Sequence, residues 1–470
     1  MIRHSFLLIL FCLFSFNSFS QENRPNIILI MVDDLGWGDV GFNGNQEVHT
    51  PNLDMLASKG ITFNRFYSAS AVCSPTRASV LTGRNPIRID IPQANSGHMK
   101  IQENTLAEIL LAAGYSTGHF GKWHLGTFTK TELDANRGGR PEFSQDYSIP
   151  SMHGYQEYFA TESKIPTYDP MIQPKEFEEG ESLRFGWKAI ETSRESTSYG
   201  TAYWEKEGEK ATANLEGENT RVILDRALDF ITKSVNKDKP FFTTIWPHTP
   251  HLPVVADENH RNLYSDLDFE KQLYYGAITA MDEEIGRLWD QLEEMGIQEN
   301  TMIWFCSDNG PELNTPGSAG EFRGKKRSLY EGGVRVPAFM VWEKEIEGGR
   351  TTEFPAVTSD YFSTVLDILS LEIPDRALDG KSLKNAISTN ISERNQPIGF
   401  LISKQQSWVD DRYKLITQDL GETFELYDFD SDPSESNNII DQHPEIAAKM
   451  KKELADWILS VGKSRAGGDY

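Results

Sequence analysis

The sequence predicts an α/β fold: a large mixed, mostly parallel sheet sandwiched between helices, followed by a smaller α+β unit with a short antiparallel sheet. Three observations predict it. Apolar runs of strand length alternate with amphipathic stretches of helical period, the order that builds parallel sheets. The longest strand runs are apolar without alternation, as expected of strands covered on both faces. The last hundred or so residues change to short strands separated by polar turns. With 470 residues the chain is too long for one ordinary core. The expected division is a leader over residues 1–20, a main unit over 21–375 and the α+β unit over 376–470.

The chain opens with Arg3 and His4, an apolar stretch from Phe6 to Phe16, and small polar residues from Asn17 to Gln21. That pattern reads as a secretory signal peptide cut near Ser20, too short for a membrane anchor. The mature protein is expected to be periplasmic or secreted, with no integral membrane span. Cys12 leaves with the leader, and Cys73 and Cys306 remain, so no disulfide framework is expected. Cys306 sits in an apolar run and reads as core. The formal charge of −24 argues against nucleic-acid binding, which needs a basic footprint. An anionic substrate would have to meet a locally cationic pocket.

Asn26 to Val32 is a continuous apolar strand run that ends abruptly in Asp33 and Asp34. Paired carboxylates there are either a loop start or oxygen ligands for a hard cation. Pro51 opens a short helix stopped at Gly60, and Ile61 to Tyr67 alternates like a strand. The stretch Val72 to Arg84 reads V-C-S-P-T-R-A-S-V-L-T-G-R. Ser74 is a good N-cap, Pro75 a good first helical residue and Gly83 a good stop. Cys73 then lies just outside the cap, where the helix dipole favours negative charge, with Arg77 in reach of the same anion.

Glu103 to Ala113 has helical period, and Tyr115 to Phe120 is a strand leading into Gly121-Lys122-Trp123-His124. Residues 126–220 are polar and loop-rich; Trp187, Tyr199, Tyr203 and Trp204 within them either stack on sugar rings or pack the loops. Arg221 to Lys233 is an amphipathic helix. Phe241 to Trp246 is a buried strand ending in a Pro-stiffened loop with His248 and His251. Leu273 to Met295 is a long helix. Thr301 to Cys306 is a strand ending in Ser307-Asp308-Asn309-Gly310, and Arg323 to Arg327 is a dense basic run before Tyr330. Val334 to Trp342 is strand-like, and Asp360 to Ser370 helical. Short strands between Gly399 and Phe429 and a helix from Pro444 to Val461 close the chain.

In open α/β sheets, ligands bind outside the carboxyl ends of the strands. Asp33, Asp34, Lys122, His248, His251, Asp308 and Asn309 therefore converge on one rim.

The motif C-S-P-T-R-A-S with L-T-G-R resembles the signature of the formylglycine-dependent type I sulfatases of the alkaline-phosphatase-like superfamily, and the resemblance runs from Arg24 to about Asn438. It implies that Cys73 is oxidised to formylglycine by a maturation enzyme and becomes the nucleophile, steadied by Arg77. It implies one divalent cation, usually Ca²⁺, held by Asp33, Asp34, Asp308 and Asn309, with residue 73 completing the site. Lys122 and His124 match the family's G-K-W-H-L-G motif facing the sulfate, and Lys326 matches its sulfate-contacting lysine. His251 best matches the histidine that protonates the leaving oxygen, with His248 as its rival in contact with substrate. The chemistry suits these residue types: cations neutralise an anionic ester, and histidine hands over a proton. The implied substrate is a sulfated carbohydrate, with a polysaccharide fragment favoured over an aryl sulfate. The alternatives are a phosphodiesterase or phosphonate hydrolase of the same superfamily, and a glycan-binding protein without catalysis.

Overall fold

The structure, a computed structural model, describes residues 24–470. The signal-peptide reading of residues 1–20 lies outside the described residues. Among those described, no helix is long and apolar enough to cross a membrane.

Five parallel strands form the centre of a ten-stranded sheet, in the spatial order Glu157–Thr161, Ser116–Lys122, Phe241–Trp246, Asn26–Val32 and Thr301–Ser307. Ala338–Val341 adds antiparallel to Thr301–Ser307, followed by Ile61–Phe63 and Arg350–Thr352. On the opposite edge, Trp204–Lys206 and Glu209–Lys210 pair antiparallel, so part of the loop-rich segment joins the main sheet. Along Asn26–Val32 the side chains alternate between two cores. Ile27, Leu29 and Met31 pack with Ala78, Val80 and Leu81 of the helix Cys73–Thr82 and with Phe362 and Val365 of Asp360–Ile368. Ile28, Ile30 and Val32 pack with Ile223 and Ala227 of Asn219–Asn236 and Ile278 and Ile285 of Phe269–Glu294. Helices on both faces explain why the strand reads as unbroken apolar sequence.

The register ends the central strands nearly flush. Val32 pairs with Ser307, Gly121 with Trp246 and Lys122 with Thr161. The residues that follow all emerge on the same rim, as the strand ends predict.

The C-terminal part is a four-stranded antiparallel meander, Ile398–Ile402, Gln405–Val409, Tyr413–Thr417 and Glu425–Asp428. One face packs through Phe400, Val409 and Ile416 onto Tyr67, Val72 and Leu329. The other packs through Leu415 and Leu426 onto Met450 and Leu454 of the helix Pro444–Lys463. A buried Lys414 reaches out of this sheet to Glu331 and Glu435, 2.8 Å from each. Because Glu331 follows closely on the basic run, the small sheet braces the loop that carries Lys326.

Candidate active site

The rim carries a buried ionic floor. Lys122 Nζ donates to Asp33 Oδ2 at 2.6 Å, and Lys326 Nζ lies 2.6 and 2.7 Å from the two oxygens of Asp34. Arg77 donates through Nε and Nη2 to one oxygen of Asp308, at 3.1 and 2.7 Å, and sits over the Trp246 ring. Its Nη2 is 3.6 Å from Asp33 Oδ1. Asn309 Nδ2 donates to Asp34 Oδ1 at 2.7 Å. Asp33, Asp34 and Asp308 are thus matched one for one by Arg77, Lys122 and Lys326, all buried. Pairing is what lets so many charges leave water. Burial pushes the Asp34 carboxyl up, but Lys326, His251 and Lys122 outweigh it and hold it well below the usual range. Asp308 goes the other way, to about 6, because burial and Asp33 exceed the pull of Arg77.

Above this floor lies a cavity of about 850 Å³, a size suited to a ligand larger than one small group. Cys73, His124, His251 and Lys326 line it. His251 donates from Nδ1 to the Leu252 carbonyl at 2.6 Å, and its Nε2 lies 3.6 Å from Asp34 Oδ2. Burial carries His251 down to about 3 despite Asp34. His124 donates from Nε2 to Asn95 Oδ1 at 2.7 Å, with the Ser163 hydroxyl at 3.4 Å. Asp34, His124 and Arg327 all take left-handed backbone conformations, with φ of 68°, 56° and 74°. Such strain in non-glycine residues gathers at functional sites.

Local structure departs from the sequence reading at the helix start. The helix runs Cys73–Thr82 with Val72, not Ser74, in the capping position, and Gly83 closes it at φ 69° as expected. Ser74 Oγ is buried without a partner, so it caps nothing; the Thr76 hydroxyl serves the Ser70 and Val72 carbonyls instead. Cys73 is therefore inside the first turn. Burial and the Asp308 carboxylate push its thiol up to about 12, against Lys122 and Lys326, so at neutral pH it is protonated. The favourable helix end does not make it a thiolate.

The residues suit a hard cation. Ligand atoms of Asp33, Asp34, Cys73 and His251 lie within 4.8 Å of one another. Asp33 Oδ1 and Asn309 Oδ1 are buried oxygens with no hydrogen-bond partner. That cluster is two carboxylates, a thiol and an imidazole and leaves out Asp308; the two orphaned oxygens are the atoms that suit a hard cation such as Ca²⁺ or Mg²⁺.

One sequence reading needs correcting, and one left open is decided. His248, expected in contact with substrate, does not line the cavity: it is fully buried, its Nε2 donating to Thr161 Oγ1 at 2.7 Å and its backbone N–H to Asn219. The alternative of loop packing holds for the aromatic residues of 126–220. Trp187, Tyr203 and Trp204 are buried core, Tyr199 is off the cavity, and Phe185 is the aromatic residue on its wall. Residues without a sequence signal also reach the site. Asn95 and Asn136 line the cavity, joined by a 2.8 Å hydrogen bond. A lone asparagine in a loop looks like any turn residue, and only its left-handed backbone, φ 60°, marks Asn95.

A family model described as Sulfatase matches residues 25–371, and one described as N-sulphoglucosamine sulphohydrolase, C-terminal, matches residues 320–459. The chain is 34% identical over 391 residues to the N-acetylgalactosamine-6-sulfatase of Canis lupus familiaris, covering 77% of this chain and 66% of that protein. It is 29% identical over 413 residues to the steryl-sulfatase of Rattus norvegicus, covering 76% and 69%. The chain thus spans just under two thirds of the length of the first of these relatives. Among solved structures it is similar to Ps i-CgsB in complex with k-i-k-neocarrahexaose, with a TM-score of 0.77, 25% identity and 92% of each chain covered. The phosphonate monoester hydrolase of Agrobacterium radiobacter shares the fold, with a TM-score of 0.65, 20% identity, and 94% and 96% covered.

Proposed function

We propose that this chain, which belongs to the sulfatase family, is a sulfuric ester hydrolase that removes sulfate from oligosaccharides derived from sulfated polysaccharides. The observation that carries the reading is the charge-matched floor beneath a cavity that presents Cys73, His124, His251 and Lys326 together. With three carboxylates offset by three cations, the charge of a bound divalent cation is left to meet an anion.

Membership of the sulfatase family supports conversion of Cys73 by a maturation enzyme to formylglycine, whose hydrated aldehyde supplies an attacking hydroxyl. Asp33, Asp34, Asp308 and Asn309 would hold the cation, read as Ca²⁺, which supplies Lewis-acid neutralisation of sulfate oxygens when bound. Arg77 fixes Asp308 and supports the first turn from below. Lys122 and Lys326, anchored by Asp33 and Asp34, offer positive charge where the ester is most repulsive to a nucleophile. His124 faces the same group from the cavity wall. His251 donates from Nδ1 to the Leu252 carbonyl, so Nε2 is the ring atom that must take up the proton it then passes to the leaving oxygen. The apolar opening of the chain supports export to the periplasm or beyond.

Ion chromatography of a panel of sulfated glycans and phosphoesters, with protein co-expressed with a formylglycine-generating enzyme, tests this. Sulfate release is expected. Turnover of phosphoesters or phosphonate esters without sulfate release would place the chain with the phosphonate hydrolases instead.

A further inference from the structure

The chain carries a formal charge of −24, yet its cavity wall is cationic. Lys164, Arg184, Lys326 and Arg327 line it against two carboxylates, Glu270 and Glu312. Glu312 is already engaged: Arg327 holds both its oxygens, at 2.5 and 2.8 Å, and Lys326 lies 3.6 Å away. Glu270 belongs to the first turn of its helix, where the dipole favours it. Among the described residues, Lys164 and Arg184 make no ion pair.

Their positions say what they face. Lys164 follows Ser163, whose hydroxyl is 3.4 Å from His124 Nε2. Burial and the nearby charges of Lys122 and Lys326 push it below the usual lysine value, with Glu312 offsetting them in part, and its side chain is exposed at the cavity. Arg184 lies two residues before Gly186, which pairs with Val254, three residues past His251. Arg184, whose side chain is exposed, lines the same cavity as His251. On the proposed reading the scissile sulfate is met by Lys326 on the cavity wall, with Lys122 buried in the floor beneath. Two further cations at the cavity have no role toward it.

Resting on the sulfatase reading, we infer that the substrate carries a second anionic group, a sulfate or a carboxylate, on the sugar bearing the scissile sulfate or on its neighbour, and that Lys164 and Arg184 receive it. Arginine suits either group through paired N–H donors.

The test compares wild type, Lys164→Ala and Arg184→Ala on four substrates: 4-nitrophenyl sulfate, a monosulfated hexosamine, the same hexosamine with two sulfates, and a sulfated disaccharide containing a uronate. Wild type should favour one dianionic substrate over the monosulfated sugar by about 10- to 100-fold in kcat/KM, the range of one or two charge-assisted bonds. Which dianionic substrate responds identifies the anion. Each variant should raise KM for it about tenfold, leaving kcat and 4-nitrophenyl sulfate turnover unchanged. Equal use of mono- and dianionic sugars by wild type, or equal losses on 4-nitrophenyl sulfate, would overturn the inference. If wild type releases no sulfate from any substrate, the sulfatase reading is what fails. Calorimetry on Cys73→Ala protein, which needs no turnover, then decides the anion site alone. Tighter binding of the dianionic sugar that is lost with Lys164→Ala supports it, and equal binding overturns it.

Discussion

His124 donates its Nε2 proton to Asn95 Oδ1 across 2.7 Å, and Asn136 donates to the same oxygen at 2.8 Å. Because an amide oxygen only accepts, the pair selects one tautomer of His124 and one ring orientation. Asn95→Leu should lower kcat on sulfate esters about tenfold by releasing that choice. Asn95→Asp should place a carboxylate against the ring, raise its pKa and move the acid side of the pH–rate profile to higher pH. A profile unmoved in Asn95→Asp would show that Asn95 does not govern His124.

Arg77 spans three elements, bonding Asp308, the Lys122 carbonyl at 3.3 Å and the Trp246 face. Lysine offers neither the fork nor the flat face. Arg77→Lys should destabilise the fold by about 3 kcal/mol, since it leaves a buried carboxylate short of partners. Denaturant unfolding checks this, and a loss below about 1 kcal/mol would mean the site relaxes around the change.

His251 is assigned to the leaving group, so its removal should depend on how much help that group needs. His251→Ala should cost about 100-fold or more on alkyl sulfates of sugars and little on 4-nitrophenyl sulfate. Equal losses on both would remove it from that role.

His153 gives a pH test away from the site. It is buried, donates from Nε2 to Ser148 Oγ at 2.8 Å while that hydroxyl donates to the Met99 carbonyl, and burial lowers it from 6.5 to about 4. Between those values the unfolded chain binds a proton that the folded chain does not, so stability falls as pH falls through that window. At pH 5 the loss relative to pH 7 is about 2 kcal/mol from this residue. Urea unfolding at both pH values should show His153→Gln losing less than wild type by about that amount. Parallel losses would contradict it.

Much of this site was legible because strand ends are legible. An apolar run that stops at Asp33-Asp34 or Asp308-Asn309 marks both the strand and what its carboxyl end presents. Choices that depend on distant partners were not. His248 and His251 sit three residues apart in one loop, and His248 turns inward to bond Thr161 and Asn219. Ser74 has the right chemistry for a cap, but its side chain is enclosed in the core next to the floor. The aromatic residues of 126–220 read equally as sugar platforms or as loop packing, and the choice depends on short strands that fold them inward, as Trp204 stacked on Phe128 shows. Composition called for a locally cationic pocket in so acidic a chain but could not say which residues line it, because it averages over positions that the fold separates.

The central claim is that Cys73 carries the reaction. The most direct measurement is sulfate release from a responding glycan by wild type and by Cys73→Ala, each co-expressed with a formylglycine-generating enzyme, with the mass of the peptide containing residue 73 taken on the same samples. Wild type should show the aldehyde mass and release sulfate, and the variant should release none. Sulfate release by Cys73→Ala at the wild-type rate would contradict it.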